Sequence, residues 1–352
     1  MASFPSQPEN LTTEFLSETI GSNVSSFEIE QIGIGVGLLG RLYRLTLTSD
    51  GGPAAVIAKF PTLDEGARMH VVEPLRFYEK EVRYYSDFAD TSAIPTAHSY
   101  FAEHDPATGD FLLILEDFGD RRMEDQIAGC PAHDAHAAID ALIQLHSQWW
   151  DSDDFPAWLP SYSDPPYPQV IAGMYKQSWP AALAVFGDHL SPKYMEYGER
   201  YADLVPYFME GLTGEPLSLC HGDYRLDNLF FGTKPEHPSL SVVDWQICFR
   251  GRPAYDVAYF VSQSLETEAR RGCEASLQKR YLEGLAAAGS NYDETQFMED
   301  YKRTVAYCFI YAVVSAGQIE MANERQRELV IGIADRAVQA MEDIDALAVL
   351  PS

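Results

Sequence analysis

The stretch Cys220-His221-Gly222-Asp223-Tyr224-Arg225-Leu226-Asp227-Asn228 carries the densest chemistry in the chain, and Asp244 follows sixteen residues later in Val242-Val243-Asp244-Trp245-Gln246. Asp223 and Asn228 keep a D-x-x-x-x-N spacing. Phosphoryl transfer needs three such groups: an acid that positions and deprotonates a hydroxyl, an amide oxygen for one Mg2+, and a carboxylate for the ions bridging the phosphates. One loop can supply Asp223 and Asn228, and a hairpin can bring Asp244 alongside. Arg225, two residues past Asp223, reads either as a donor to the γ-phosphate or as a surface cation on an acidic protein.

A second cluster lies far upstream. Gly35, Gly37 and Gly40 form G-x-G-x-x-G, a pattern shared by dinucleotide-binding turns and phosphate-covering loops. A dinucleotide turn opens a helix and needs an acid about 20 residues on. Here a strand follows instead, and Lys59 stands in Val56-Ile57-Ala58-Lys59-Phe60. That order describes a loop covering phosphates and a strand-borne lysine for the α- and β-phosphates. The plain alternative is a Gly-rich hairpin with a surface lysine. Such a lysine needs a carboxylate to orient it. On the helical wheel of residues 74–89, Glu81 falls about 40° from the centre of the apolar face and Glu79 about 120° away, so Glu81 points inward.

Local patterns predict the elements that position these groups. A short helix spans residues 11–20, with Thr12 or Thr13 as cap and Gly21 as stop. Tyr43, Leu45 and Leu47 alternate with polar residues, which is a strand, and Asp50-Gly51-Gly52 turns the chain into a second strand ending near Phe60. The apolar run Phe111 to Leu115 is a buried strand that ends at Glu116-Asp117-Phe118. There, backbone groups would meet the purine edge of a nucleotide. A helix over residues 132–150 precedes a proline-rich loop that ends at Pro168. Helical patterns resume at about 170–212, a hairpin turns between Gly232 and Ser239, and everything after Ala254 reads as helix. Strands early and helices late indicate an α+β protein.

Together, His221 to Asn228, Val242 to Gln246 and Gly251-Arg252-Pro253-Ala254-Tyr255-Asp256-Val257-Ala258-Tyr259-Phe260 resemble the aminoglycoside phosphotransferase/choline kinase-like superfamily, within it the ecdysteroid-kinase-like branch. The resemblance runs from about Gly33 to Leu265. It implies a protein-kinase-like bilobal fold, with a small sheet-rich N-lobe (1–115) and a large, mostly helical C-lobe (116–352). It further implies ATP with Mg2+ as donor and a small-molecule hydroxyl as acceptor. Under it, Asp223 is the base, Asn228 and Asp244 hold Mg2+, and Lys59 pairs with Glu81. His221 and Asp256 support the loop at 219–231, and the metal-binding segment is 241–246. Two departures bear on the acceptor. Gly222 stands where a regulated protein kinase has an arginine, and eleven residues separate Asp244 from Asp256 with no A-P-E. That leaves no platform for a peptide, so no protein substrate is expected. His146 reads as a core histidine. The stretch 151–216, with Trp158, Tyr175 and Trp179, is expected to wall the acceptor pocket; the bland alternative is that it covers the helical core.

Charge and composition narrow the remaining classes. With 25 Lys+Arg against 53 Asp+Glu, the net charge is −28, so nucleic acid and anionic membrane surfaces are poor partners. Five scattered cysteines without a C-x-x-C pair match reduced thiols. No secretory signal pattern opens the chain, and a cytoplasmic location is the expectation. Two other readings stay open: a pseudokinase-like module that holds nucleotide without turnover, and a nicotinamide oxidoreductase built on Gly35 to Gly40.

Overall fold

In the computed structural model, which describes residues 4–33, 39–318 and 324–351, the chain divides into two units. The first is Met1–Arg121 with Val242–Ile247; the second is Arg122–Ser241 with Cys248–Ser352. The division falls after Arg121 rather than after residue 115. It also places the Asp244 segment with the sheet rather than with the helices.

The first unit opens on α1 (Thr13–Ile20), capped by the Thr12 hydroxyl, which accepts from the Phe15 N–H, and ended by Gly21 at φ 72°. β1 (Val24–Ile32), β2 (Gly40–Ser49), β3 (Ala55–Pro61), α2 (Glu65–Ala67), α3 (Phe77–Asp87), β4 (Ser99–Asp105) and β5 (Asp110–Glu116) follow. The strands form one antiparallel sheet in the order β1-β2-β3-β5-β4. The edge strands β1 and β4 carry weak signals in the sequence. Most of β1 is exposed, with Glu28 and Glu30 on it, as suits an edge that must not pair further.

Alternation along β3 sends Val56, Ala58 and Phe60 to one face, where they join Leu16 of α1, Leu45, Leu112 and Ile114 in a core. Lys59 therefore points to the other face. α3 covers that face, with Tyr78 stacked on Phe111 at 4.1 Å between ring centres. β5 is buried on both faces, which is why its sequence is continuously apolar rather than alternating.

The second unit contains α4 (Ala132–Gln148), α5 (Tyr167–Phe186), α6 (Pro192–Glu210), β6 (Ser218–Cys220), β7 (Leu229–Phe231), β8 (Leu240–Val242) and β9 (Phe249–Gly251). Helices α7 (Ala254–Ser264), α8 (Thr267–Ala287), α9 (Glu294–Tyr307), α10 (Phe309–Ala316) and α11 (Glu324–Asp343) complete it. β6 pairs with β9, and β7 with β8. Every residue of α7 is buried, so this helix is the unit's central strut.

Within the expected acceptor wall, Tyr175 departs from its assignment. It is 2% exposed, stacks on Tyr201 at 4.3 Å, and donates its hydroxyl to the Gly198 carbonyl at 2.8 Å. Its polar atom is satisfied inside the α5–α6 packing, so it seals a helix pair rather than lining an open pocket. Trp158 and Trp179 are half-buried. The Trp179 ring lies so close over Gly198 that a Cβ there would overlap it. Gly198→Ala should therefore destabilise the protein by about 1–3 kcal/mol. Thermal melting checks this, and an unchanged melting temperature would show that the ring moves aside freely.

Candidate active site

The loop between β6 and β7 is held from α7. Asp256, fully buried, accepts the His221 N–H at 2.7 Å on Oδ2 and the Gly222 N–H at 2.9 Å on Oδ1. His146 meets the same carboxylate at 3.2 Å through Nε2 and the Tyr281 hydroxyl at 2.7 Å through Nδ1. The core histidine of the sequence analysis is thus fully satisfied, and it also steadies Asp256. Gly222 has φ 89°, a left-handed backbone that glycine adopts at no steric cost. That explains why no arginine stands at this position. Asp256→Asn keeps the shape but turns an NH2 toward one of these donors. It should cost about 1–3 kcal/mol of stability. Denaturant unfolding checks it, and a wild-type midpoint would remove Asp256 from this role.

Asp223 and Asn228 meet on this loop. The Asn228 amide nitrogen donates to the Asp223 carbonyl at 2.8 Å and to its Oδ2 at 3.0 Å. The Tyr259 hydroxyl donates to Asp223 Oδ1 at 2.7 Å, and the Asp223 N–H donates to His221 Nδ1 at 3.2 Å. Burial pushes the Asp223 carboxyl up. Arg225, the Tyr259 hydroxyl, His221 and Asn228 outweigh burial and hold it below its ordinary value. Asp223 is therefore ionised at neutral pH, as a proton acceptor must be. Arg225 is not a free surface cation. It sits 3.3 Å from Asp223 and 2.9 Å from Asp227.

The first unit gathers the other set. Lys59 lies 2.7 Å from Glu81 and 3.0 Å from Asp244, so one ammonium is shared by two carboxylates from distant parts of the chain. Burial alone would lower the Lys59 pKa, but the Asp244 and Glu81 charges more than offset it and raise it. Burial raises the Glu81 carboxyl, and Asp244 adds to this, against the pull of Lys59. Glu79 instead pairs with Arg76 on the half-exposed side of α3.

Sequence reasoning missed what holds Asp244. Trp245 stacks on Tyr84 of α3 at 3.7 Å with the rings 6° from parallel, and its indole N–H donates to Thr96 at 3.2 Å. The Thr96 hydroxyl in turn donates to the Val242 carbonyl at 2.7 Å. Asp244 itself adopts φ 67°, a left-handed conformation that aspartate tolerates better than most residues. The only local signal is the aromatic residue directly after the acid.

Of the glycine pattern, Gly35 and Gly37 lie outside the described residues. Gly40 opens β2, where a Cβ would meet Lys59 Cε at 3.2 Å and the Phe60 carbonyl at 3.3 Å, so the lysine stem needs a glycine there. At the end of β5, Glu116 accepts the His98 N–H and pairs with Arg121 at 3.2 Å. Phe118 is buried beneath the Arg121 guanidinium, 3.9 Å from the ring centre.

Each unit carries an oxygen donor that suits Mg2+. In the first, Asp244 offers a carboxylate; in the second, Asn228 uses its NH2 on Asp223, which leaves its amide oxygen for a cation. These are hard oxygen ligands of the kind Mg2+ takes alongside phosphate oxygens. Among the described residues, one group of His, Cys and carboxylate side chains has ligand-like spacing: His146, Cys220 and Asp256. It is fully buried and already engaged in bracing the loop.

This is the protein-kinase-like fold: a sheet-rich N-terminal part and a mostly helical remainder, shared with several small-molecule phosphotransferases of known structure. An aminoglycoside phosphotransferase homologue from Ralstonia eutropha JMP134 superposes with a TM-score of 0.56 at 17% identity, covering 95% of this chain and 97% of that one. Choline kinase from Cryptosporidium parvum Iowa II gives 0.55 at 13% identity, covering 93% and 92%. Aminoglycoside phosphotransferase APH(4)-Ia, solved with AMP-PNP and hygromycin B, gives 0.50 at 16% identity, covering 96% and 99%. The ecdysteroid kinase-like family matches residues 160–291, the stretch that contains Asp223, Asn228, Asp244 and Asp256. The sequence match is thus to the ecdysteroid kinase-like family over residues 160–291, and the likeness to the aminoglycoside phosphotransferase and choline kinase structures is one of fold. No curated protein matches the chain in a sequence search. Among the described residues, no helix is long and apolar enough to cross a membrane.

Proposed function

We propose that this protein is a small-molecule kinase that moves the γ-phosphate of MgATP to a hydroxyl of a small acceptor. The observation that carries the reading is the Lys59 ammonium held at 2.7 Å by Glu81 and 3.0 Å by Asp244. A buried lysine shared by two carboxylates costs desolvation, and a phosphate-binding role explains why the chain keeps it. Bound MgATP supplies the transferable phosphoryl group and the metal charge that stabilises it.

The chain's own residues do the rest. Lys59 binds the α- and β-phosphates, and Glu81 keeps its ammonium in place. The glycines at Gly35, Gly37 and Gly40 cover the phosphates, and the backbone at Glu116 and Phe118 receives the purine. Asp244 and Asn228 hold Mg2+. Asp223 would accept the acceptor's hydroxyl proton on its carboxylate as the acceptor oxygen bonds to the γ-phosphorus and the bond from that phosphorus to the β–γ bridging oxygen breaks, with ADP leaving. Arg225, which meets Asp223 and Asp227, would donate to the γ-phosphate. His221 and Asp256 fix the loop.

The superfamily resemblance supports a small alcohol as acceptor, the aromatic content of residues 151–216 offers Trp158 and Trp179 as contacts, and the scattered cysteines without a C-x-x-C pair support a cytoplasmic setting. Incubating the protein with MgATP and a metabolite extract, and searching by mass spectrometry for species that gain a phosphate, tests the reading. Metal-dependent ATP binding without any such species would favour a nucleotide-holding module instead.

A further inference from the structure

α7 carries Asp256 and Tyr259 three residues apart, and therefore on one helical face. Asp256 takes the backbone N–H groups of His221 and Gly222. One turn further on, the Tyr259 hydroxyl donates to Asp223 Oδ1 at 2.7 Å, so one helix grips both the backbone of the loop and its carboxylate. Tyr259 is 3% exposed, and its ring stacks on Tyr311 of α10 with centres 4.3 Å apart and planes 10° from parallel. The Tyr311 hydroxyl meets that of Tyr255 and reaches the Gly222 carbonyl at 3.3 Å. The position of the Tyr259 ring is thus set from α10, and its hydroxyl is spent on Asp223.

A phenylalanine would fill the same space and stack as well, without burying a polar oxygen. The hydroxyl therefore calls for its own explanation, and Asp223 is its partner. A carboxylate has about four lone-pair sites. Tyr259 takes one on Oδ1, Asn228 takes one on Oδ2, and the Arg225 Nε–H reaches Oδ2 at a longer 3.4 Å. Held on both oxygens, the carboxylate plane cannot rotate, and the remaining lone pairs keep a fixed direction.

We infer that Tyr259 is a positioning residue for Asp223, its hydroxyl fixing the carboxylate so that a free lone pair stays turned toward the acceptor hydroxyl. The inference rests on the proposed function, in which Asp223 is the base. Orientation at the reacting atom is where a small misplacement costs most, so the effect belongs in kcat rather than in nucleotide binding.

The test uses MgATP with water as the acceptor. Release of labelled γ-phosphate is followed in the wild type, Asp223→Asn, Tyr259→Phe and the double variant, with thermal melting in parallel. Tyr259→Phe should lower kcat about tenfold or more, the loss of one hydrogen bond to a charged acceptor. The KM for MgATP should stay within about twofold of wild type, because the nucleotide contacts are untouched. In the Asp223→Asn background the same substitution should have no further effect, since Tyr259 acts through Asp223. A wild-type kcat in Tyr259→Phe, an equal drop in both backgrounds, or a Tyr259→Phe chain that no longer folds each overturns the inference and leaves Asp223 as the base. Phosphate release that Asp223→Asn does not reduce removes the base itself, and the inference with it.

Discussion

Asp223→Asn should slow phosphoryl transfer about 10²- to 10⁴-fold, the range for losing a positioned general base, while MgATP binds nearly as before. The reason lies in where Asp223 spends its bonds. Its carboxylate is held by Tyr259, Asn228 and Arg225, it has no proposed contact of its own with the nucleotide or Mg2+, and an asparagine fits the same space. What disappears is the negative oxygen that takes the acceptor's proton. Asp244→Ala should fail differently, with weaker MgATP binding as well as lost turnover, because Asp244 is the proposed metal ligand. Calorimetric ATP affinities of the two variants, measured beside transfer rates, separate the roles. Equal affinities in both variants contradict the assignment.

Lys59→Met should strongly destabilise the first unit. Glu81 is 1% exposed and lies 2.7 Å from the ammonium, so removing Lys59 strands a carboxylate where burial already raises its pKa. Breaking a buried pair from one side costs about 3–5 kcal/mol. Asp244 adds less, because at 27% side-chain exposure it still reaches water. The double variant Lys59→Met/Glu81→Leu should recover most of that loss, since two apolar side chains of similar volume need no partner. Both variants should also lose nucleotide affinity. Denaturant midpoints of the single and double variants check the stability claim. A double variant no more stable than the single would mean that the site collapses for another reason.

The candidate residues of the two units differ in how far local pattern discloses them. The loop between β6 and β7 is legible because its groups are contiguous: Asp223 and Asn228 share it, and their spacing fits the proposed chemistry. Lys59 and Glu81 are legible for a second reason. Strand alternation sets the face of Lys59, and a helical wheel sets the face of Glu81, and both periodicities are local properties of the backbone. Charge, cysteine usage and the order of strands before helices likewise follow from the chain alone. The edge strands β1 and β4 are harder, because exposed edges tolerate nearly any polar residue and show little alternation.

Only the tertiary structure decides the rest. Lys59 and Asp244 touch across 185 residues of sequence, and the Asp244 segment is fastened by Trp245, Tyr84 and Thr96, none of which has a periodicity that names its partner. Tyr175 and Tyr259 make the same point. The chain holds 20 tyrosines, and each is equally suited by type to fill a core or to aim a hydroxyl. In Tyr175 the hydroxyl ends on a neighbouring helix's carbonyl, and in Tyr259 on the proposed base. Residue type settles what a side chain can donate, but the acceptor it finds depends on long-range packing, which local spacing does not encode.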